Sequence, residues 1–484
     1  MSTTSSHHQV LASADSGAFS SLQQSTTSRA ERDAMGKGLR KHVPRKALGH
    51  WELSSDRPDP ITLLNASHRG RVDELIPVRV GKMISSPYGF LRGTAVVMAW
   101  DVAHLPSTGI QPVICGDAHL GNFGFYGSSE GELVLDLNDF DEAHPGGWEW
   151  DLRRLVAAIH VAGRENGASE NQCSAAVESC VSAYRAEVRL LAVQPLLKRS
   201  YNRLDVGRLH ESVTEKSLRQ EIKRSAKRAK KRTSDRVLPK LTHEEGGERR
   251  IVEEPPLIVR VPEHKARLIG SALDRYLDTL VSHWSRALGG YTIKDIAHKV
   301  VGVGSVGLRA YVVMLEGSSA DDVLFLQMKQ ARRSVLAQYV HGTSAWHDHQ
   351  GQRVVEYQQA LQTVSDPLLG WTTVDNRQYY VRQFRNMKGT VPLDAMDADA
   401  LADYAGIVGH LPAKGHARTS GASMIAGYVG KGDNLDRSMA RFAAAYADQT
   451  ELDHALLVKA ARTGRVPVTE GALESTGSAF RPGS

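Results

Sequence analysis

Two short stretches of the chain concentrate side chains that could do chemistry. ICGDAHLGNFGFY, residues 114–126, contains Asp117, His119 and Asn122. LVLDLNDFDEAHPGG, residues 133–147, adds four acids: Asp136, Asp139, Asp141 and Glu142. Three interpretations are open: metal ligands of a hydrolase, the acid and metal-binding residues of a phosphotransferase, or turn residues with no chemistry.

A third stretch has the composition of a phosphate-binding loop. GVGSVG, residues 302–307, lies between two predicted strands, where Gly302, Gly304, Ser305 and Gly307 would let backbone N–H groups approach a phosphate. No helix follows, which disfavours a dinucleotide-binding fingerprint. A plain hairpin turn is the alternative.

The segments after this loop add a basic and an acidic side chain. The apolar strand LFLQMKQA carries one lysine, Lys329, and the next predicted helix, QRVVEYQQ, carries Glu356. A glycine loop, a strand lysine and a helix glutamate resemble the phosphate-binding parts of protein kinases. For Lys329 the alternative is an edge lysine whose head reaches water.

The segment GDAHLGN also resembles a kinase-like loop. It is similar to the HGDLHPGN sequence of aminoglycoside and choline kinases at five positions: Gly116, Asp117, His119, Gly121 and Asn122. It departs at Cys115, where those kinases have histidine. The resemblance implies that Asp117 accepts or orients the proton of the attacking hydroxyl and that Asn122 binds magnesium. His119 of the same loop is a further candidate catalytic residue.

The resemblance assigns roles to the second acidic stretch as well. Asp139, seventeen residues after Asn122, matches the metal-binding aspartate that follows the catalytic loop in those kinases. Asp141 is a possible third metal ligand, and Asp136 is the alternative to Asp139 as the metal-binding aspartate. Asp151, in WEWDLRRL, is interpreted as an N-cap or as a brace for the catalytic loop.

For the nucleotide, the resemblance implies an ATP site. Lys329, paired with Glu356, would hold the α- and β-phosphates, and the backbone from Arg382 to Phe384 would contact adenine. Arg92, in FLRGT, is either a phosphate or substrate contact or part of a structural salt bridge.

The order of these motifs differs from that of a kinase, because the glycine loop follows the catalytic loop by almost 200 residues. Read as a circle from residue 300, however, the motifs follow the kinase order. Chain termini often lie close together on the surface, so circular permutation is sterically feasible. We therefore expect an α+β, two-lobed, protein-kinase-like fold in circularly permuted order. It would have a mostly helical large lobe and a small antiparallel β-rich lobe.

Periodicity and composition predict how the 484 residues are divided. The predicted segments are a disordered tail at 1–45, the large helical lobe at 46–204, a charged insertion or linker at 205–262, a helix of the large lobe at 263–290, the nucleotide-binding lobe at 291–390, helices returning to the large lobe at 391–465, and a flexible tail at 466–484.

The net charge is +6, and much of the excess lies in RQEIKRSAKRAKKR, residues 219–232. No aromatic residues are interleaved there for base stacking, so a solvated surface is favoured over nucleic-acid binding. Three cysteines in a chain of this length argue against a disulfide framework and favour a cytoplasmic location. No apolar run is long enough to span a bilayer.

Most of the chain, from about residue 55 to 455, resembles the bacterial domain of unknown function 2252 family. The resemblance rests on SPYGFLRG, CGDAHLGNFG, DLNDFDEAHPGGWEWDLRRL, VGVGSVGLRAYVVMLEG, LFLQMKQARRSVL, YYVRQFRNMKG and YADQTELD. The family name implies no activity, so the expectation of function comes from the kinase-like motifs.

We expect an ATP- and Mg²⁺-dependent phosphotransferase acting on an unidentified hydroxyl of a small molecule or a protein, with nucleotidyl transfer as a variant. The alternatives are a metal-dependent phosphohydrolase and a kinase-like nucleotide-binding protein without catalysis.

Overall fold

The structure is a computed structural model that describes residues 27–201, 203–300, 304–340, 347–384, 386–394, 396–419, 421–469 and 471–473. The chain is 52% helix and 15% strand, and its sheets are antiparallel, which confirms the predicted α+β class. None of the helices in these ranges is both long enough and apolar enough to cross a membrane.

The described residues form eighteen α-helices and twelve strands. The helices are α1 (Arg29–Leu39), α2 (Pro60–His68), α3 (Ile76–Ile84), α4 (Pro87–Gly93), α5 (Ala95–Ala103), α6 (Trp148–Glu165), α7 (Glu170–Ala192), α8 (Leu196–Ser200), α9 (Val206–Ser212), α10 (Lys216–Ala229), α11 (Ser234–Leu241), α12 (Glu263–Leu277), α13 (Ser282–Leu288), α14 (Ala337–Val340), α15 (Gln350–Leu361), α16 (Ala398–Thr419), α17 (Ala422–Val429) and α18 (Asn434–Arg462). The strands are β1 (Val113–Ile114), β2 (Phe123–Gly127), β3 (Leu133–Leu137), β4 (His144–Pro145), β5 (Thr242–Glu245), β6 (Glu248–Ile251), β7 (Ile258–Arg260), β8 (Thr292–Lys299), β9 (Ala310–Glu316), β10 (Val323–Gln330), β11 (Gly370–Val374) and β12 (Arg377–Gln383).

A six-stranded antiparallel sheet, in the order β11-β12-β10-β9-β8-β7, forms one lobe, which we call the sheet lobe. Lys329 on β10 is paired with Ala310 of β9 and Tyr380 of β12, so it lies inside the sheet and not at an edge. Because side chains alternate along a strand, Leu326 and Met328 pack towards α12 while Lys329 points to the opposite face.

The other lobe, which we call the helical lobe, is built around α6. This helix is buried from Trp148 to Gly163, and α7, α16 and α18 pack beside it. Its apolar residues occur on all sides, as expected of a helix inside a core. The two-strand pairs β1-β4 and β2-β3 belong to this core and carry the loops of the candidate site.

The beginning and the end of the described chain meet in the helical lobe. Arg57 forms ion pairs with Asp101 of α5 (2.7 Å) and with Asp453 of α18 (2.6 Å). Helix α1 lies so close to α17 that a Cβ atom on Gly36 would stand 2.0 Å from the carbonyl oxygen of Met424. Segments at both ends of the sequence therefore build one core.

Several predicted boundaries are wrong. Part of the predicted tail at 1–45 is helical, because Ser28 and Glu31 form a capping box that starts α1; residues 1–26 lie outside the described ranges. The predicted linker at 205–262 contains α9–α11 and β5–β7, and β7 is the edge strand of the large sheet.

Two further boundaries differ. Helix α12, predicted to belong to the large lobe, packs on the sheet: the Tyr276 hydroxyl donates to the carbonyl of Leu368, and the Thr372 hydroxyl donates to the carbonyl of Ala272. In the predicted tail at 466–484, Val466 is buried beside Leu457, so the helical lobe extends past 465. Residues 474–484 lie outside the described ranges.

Candidate active site

The first candidate loop, residues 115–122, follows β1 and is held by a buried carboxylate. Asp151, in the first turn of α6, accepts hydrogen bonds from the backbone N–H groups of Cys115 (2.7 Å) and Gly116 (2.8 Å). His416 lies 3.2 Å from the same carboxylate. Gly147 is the N-cap of α6, so Asp151 braces the loop and does not cap the helix.

Gly116 shows why this loop needs a glycine. Its φ angle is +78°, and a Cβ atom there would lie 2.4 Å from the carbonyl oxygen of Glu142. The candidate catalytic loop and the acidic stretch after β3 therefore touch through their backbones.

Asp117 presents its carboxylate to a cleft between the lobes, where 22% of the side chain is exposed. One oxygen accepts from Nε of Arg154 at 2.8 Å, and Nη2 of the same arginine lies 2.7 Å from it. Burial raises the pKa of Asp117, and the guanidinium of Arg154 offsets only part of that rise. The second oxygen lies 3.8 Å from Nε2 of His119.

Asn122 joins the two acidic stretches. Its side-chain nitrogen donates to the carbonyl oxygens of Asp117 (3.1 Å) and Asp139 (3.0 Å), and its side-chain oxygen accepts from the N–H of Asp139 (2.7 Å). The side chain is buried and fixes the spacing between the two loops. One lone pair of its oxygen is left for any further ligand.

Asp139 and Asp141 meet Lys329, which is 190 residues from Asp139 in sequence. Nζ of Lys329 lies 3.3 Å from Asp139 and 2.6 Å from Asp141, and the Tyr380 hydroxyl donates to Asp141 at 3.0 Å. The lysine is 2% exposed, whereas 46% of the Asp139 side chain faces the cleft.

Charge and burial act differently on these groups. Burial would raise the pKa of Asp139, but Lys329 and Arg382 outweigh it and lower that pKa to about 2. At Asp141, burial and the neighbouring Asp139 raise the pKa. Burial would lower the pKa of Lys329, but the two carboxylates raise it. The lysine is therefore a fixed cation beside the two acids.

The predicted ion pair between Lys329 and Glu356 is wrong. Glu356 accepts instead from Gln352 (2.8 Å) and lies 2.6 Å from Nε2 of His347. The residue of α15 that reaches the site is Arg353, whose guanidinium donates to the carbonyl oxygens of Asp141 (2.7 Å) and Arg332 (2.9 Å). Arg353 and Glu356 are three residues apart and lie on neighbouring parts of the helix surface, and the packing of α15 turns Arg353 to the loop and Glu356 to His347.

The glycine loop connects β8 to β9 as predicted, and Gly304 and Ser305 line the cleft. Gly307 has a φ angle of +86°, and Arg71 donates to the carbonyl of Val306 (2.6 Å) beneath the loop. Gly302 lies outside the described residues.

The segment predicted to contact adenine forms hydrogen bonds and packing contacts within the protein. Arg382 donates to the side-chain oxygen of Gln327 (3.0 Å), and the N–H of Phe384 donates to the carbonyl of Phe325 (2.9 Å). The Phe384 ring packs in a buried cluster beside Phe325 and Ile251, with Leu241 against it. Adenine contact at this segment stays a prediction.

The cleft has a volume of about 340 Å³. Its lining includes Asp117, His119, Asn122, Asp139, Asp141, Glu142, Gly304 and Ser305, together with five arginines: Arg71, Arg79, Arg92, Arg332 and Arg333.

Asp136, the alternative to Asp139 as the metal-binding aspartate, does not line the cleft. Its carboxylate accepts from the N–H groups of Leu137 and Thr363, and burial raises its pKa.

His119 is buried at the bottom of the cleft. Its Nδ1 atom has no hydrogen-bond partner, and burial together with Arg92 and Arg154 lowers its pKa well below the ordinary value. It is therefore a neutral imidazole. No group of three or more His, Cys, Asp or Glu side chains arranged for a metal ion occurs in the described ranges.

Sequence reasoning missed the arginines that organise this site. Arg154 follows Asp151 by three residues on α6, a spacing that puts both on one helix face, so this partner of the loop could have been found. Arg79 is a single buried charge within the apolar helix IPVRVGKMI, which was a second usable signal. Arg332 and Arg353 show no comparable local pattern.

Fold and site together define a mixed α+β protein with an acid- and arginine-lined cleft between a helical lobe and an antiparallel sheet, and with a buried lysine behind two of the acids. A family model described as "Uncharacterized protein conserved in bacteria (DUF2252)" matches residues 71–460, and the chain belongs to this family. Neither the comparison with curated proteins nor the comparison with solved structures gave a match.

Proposed function

We propose that the protein is an ATP- and Mg²⁺-dependent phosphotransferase with a circularly permuted, kinase-like fold. One observation carries the proposal: Lys329 of the sheet lobe meets Asp139 and Asp141 of the helical lobe beside Asp117, across 190 residues of chain. A strand lysine, metal-binding acids and an acid for the hydroxyl are the parts that phosphoryl transfer requires.

The order of elements in the sheet lobe supports this proposal. A glycine-loop hairpin (β8-β9) precedes the lysine strand β10, and α15 precedes β11 and β12. That is the order of glycine loop, lysine strand and helix in a protein kinase. The helices after β12 then join α6 and α7 in the helical lobe, as a permuted chain requires.

The acids fit magnesium by their chemistry. Asp139 and Asp141 offer hard carboxylate oxygens, and both are partly open to the cleft. Phosphotransferases commonly hold Mg²⁺ through one or two carboxylates plus phosphate oxygens and water, so this pair is sufficient. Bound there, magnesium would neutralise charge on the phosphates. The saturated amide of Asn122 makes it a positioning residue, with at most one lone pair for a metal.

In the proposed reaction, the residues of the site have different roles. Asp117, held by Arg154, orients the acceptor hydroxyl and takes its proton. The acceptor oxygen forms a bond to the γ-phosphorus, the bond to the bridging oxygen breaks, and ADP leaves with that electron pair. Lys329 exchanges a carboxylate contact for a phosphate oxygen, and the backbone at Gly304 and Ser305 covers the phosphates.

The test is a calorimetric titration of ATP with Mg²⁺ into the full chain and into Lys329→Ala and Asp139→Ala. Lys294→Ala is the matched control, since Lys294 is an exposed lysine on β8 of the same sheet. We expect saturable binding that Lys329→Ala abolishes, that loses its magnesium dependence in Asp139→Ala and that the control retains.

The other outcomes separate the alternatives. Absence of ATP and GTP binding up to millimolar concentration would overturn the proposal and direct attention to metal-dependent hydrolysis, with Asp117 and His119 as the first ligands to test. Binding without turnover of ATP or of any acceptor would favour a catalytically inactive nucleotide-binding protein.

A further inference from the structure

The wall of the cleft that faces the catalytic loop is built from arginines. Arg71 follows α2, Arg79 lies in α3 and Arg92 lies in α4, while Arg332 follows the lysine strand β10. We call these four residues the arginine wall. They come from four separate elements, so their convergence is a product of the fold and not of a local basic run.

Backbone and hydroxyl oxygens, and not carboxylates, receive the hydrogen bonds of the arginine wall. Arg71 donates to the carbonyls of Ser67 (3.1 Å) and Val306 (2.6 Å), and Arg332 donates to the same Ser67 carbonyl (3.1 Å). Arg79 donates to the Gly93 carbonyl (2.6 Å) and to the Ser67 hydroxyl (3.3 Å). Within the described ranges, no carboxylate lies within 4.0 Å of any of the four guanidinium groups.

The wall therefore lacks an ion-paired carboxylate where burial makes charge costly, and Glu142 and Asp141 act on Arg71 from beyond ion-pair distance. Arg79 is 2% exposed, and the Nε atoms of Arg79 and Arg92 are buried without a hydrogen-bond partner. Burial and the neighbouring Arg332 lower the pKa of Arg71 to about 10. Buried cations ordinarily have an anionic partner, and guanidinium groups suit phosphate and carboxylate oxygens.

The position of the wall indicates which ligand would supply the anion. Arg92 approaches the catalytic loop so closely that a Cβ atom on Gly121 would be 3.2 Å from the guanidinium carbon. Asp117 and the arginine wall line the same cleft, whereas Lys329 lies behind Asp139 and Asp141. An anion on the arginine wall would thus lie next to the hydroxyl that Asp117 orients.

We propose that the arginine wall binds a phosphate group of the acceptor, so that the acceptor is a phosphorylated compound with a free hydroxyl. The identification of the ligand as an acceptor rests on the proposed phosphotransferase function, whereas the anion site itself does not depend on it. The ATP phosphates would share the same chemistry, so the experiment must separate the two sources.

The experiment titrates inorganic phosphate into the full chain by calorimetry, alone and with a saturating non-hydrolysable ATP analogue and Mg²⁺. Arg92→Gln and Arg332→Gln each remove one partly exposed guanidinium of the wall. Arg69→Gln is the control, because Arg69 is exposed and lies two residues from Arg71 but does not line the cleft. Thermal unfolding of every variant verifies that it is folded.

We expect saturable phosphate binding that persists with the analogue bound, weakens about tenfold or more in each wall variant and is unchanged in the control. Competition between phosphate and the analogue would overturn the assignment to the acceptor. Absence of binding, or equal losses in the control, would overturn the anion site itself. If phosphate binds with this arginine dependence while ATP fails to bind, the anion site stands and the phosphotransferase function fails.

Discussion

Buried charge has different partners on the two walls of the cleft. On one wall, which we call the carboxylate–lysine wall, Lys329 lies between Asp139 and Asp141, and opposite charges satisfy one another within 3.3 Å. On the arginine wall, Arg71, Arg79 and Arg332 donate to backbone carbonyls, and none of the four guanidinium groups has a carboxylate within ion-pair distance in the described part of the chain.

This difference separates residues that the fold needs from residues that a ligand needs. In the carboxylate–lysine wall the buried cation is paired with carboxylates, so removing it should destabilise the folded protein. The arginine wall carries charge that its own side chains leave unbalanced, so removing one cation should harm an anion complex and spare the fold. The predictions below test that division.

The largest expected effect is at Asp117, where the two walls meet. Asp117→Asn keeps the shape of the side chain but removes its capacity to accept a proton. We expect ATP turnover to fall by about 10²- to 10⁴-fold with ATP affinity little changed. Steady-state ATP hydrolysis, with water replacing the acceptor, measures the loss. A rate within a factor of a few of wild type would exclude Asp117 as the base.

The second effect concerns the fold. Lys329→Met leaves two neighbouring carboxylates without their cation, and we expect the free energy of unfolding to fall by about 3 kcal/mol. This is the lower end for a broken buried pair, because Asp139 is half exposed and solvent screens it. Urea unfolding measures the change. Lys294→Met, at an exposed position of the same sheet, is the control, and an equal loss in both variants would contradict the buried pair.

The sequence could predict the carboxylate–lysine wall but not its pairing. Strand alternation and loop positions placed Asp139, Asp141 and Lys329 near strand ends, and the structure brings them together. The partner of Lys329 was wrong because helical periodicity gives the face of a residue only relative to its own helix. How α15 is rotated against the sheet depends on packing, and that packing turns Arg353 inward.

The convergence of the arginine wall could not be predicted from local pattern, although Arg79 in the apolar helix α3 was a local signal for one of its members. Its members lie in four elements, and only Arg92 was singled out, with a structural salt bridge as its alternative. In the structure Arg92 stacks over the ring of Tyr88 at 5.8 Å, and no carboxylate pairs with it in the described ranges. Similarly, nothing local showed that β7 would extend the large sheet, because that depends on its long-range pairing with β8.

The third prediction uses pH to probe the surroundings of the arginine wall. His68, at the end of α2, is 8% exposed; burial, then Arg79 and Arg71, lower its pKa to about 4. The native protein therefore binds fewer protons than the unfolded chain between about pH 6.5 and 4, and stability is lost as the pH falls through that window. The contribution of His68 is up to about 3 kcal/mol.

Urea unfolding at several pH values, in wild type and His68→Gln, measures this contribution. Burial also lowers the pKa of other histidines, among them His119 and His160, so the quantity of interest is the difference between the two proteins. We expect a shallower loss of stability below pH 6.5 in His68→Gln. His50→Gln, at an exposed position, is the control and should retain the wild-type slope. Parallel curves for wild type and His68→Gln would show that burial and the arginines do not lower the pKa of His68.

The smallest expected effect on stability is the sharpest test of the comparison. Arg332→Gln relieves repulsion from Arg71 and keeps an N–H donor for the Ser67 carbonyl. In a buffer without polyvalent anions, we expect a free energy of unfolding that is unchanged or higher by up to about 1 kcal/mol.

In phosphate, wild type should gain stability through binding, by about 2.7 kcal/mol at a phosphate concentration one hundred times the dissociation constant. The Arg332→Gln variant should gain less. Urea unfolding in both buffers separates the two terms. A loss of more than about 2 kcal/mol without anion would mean that Arg332 braces the fold as Lys329 does, and the two walls would then be alike.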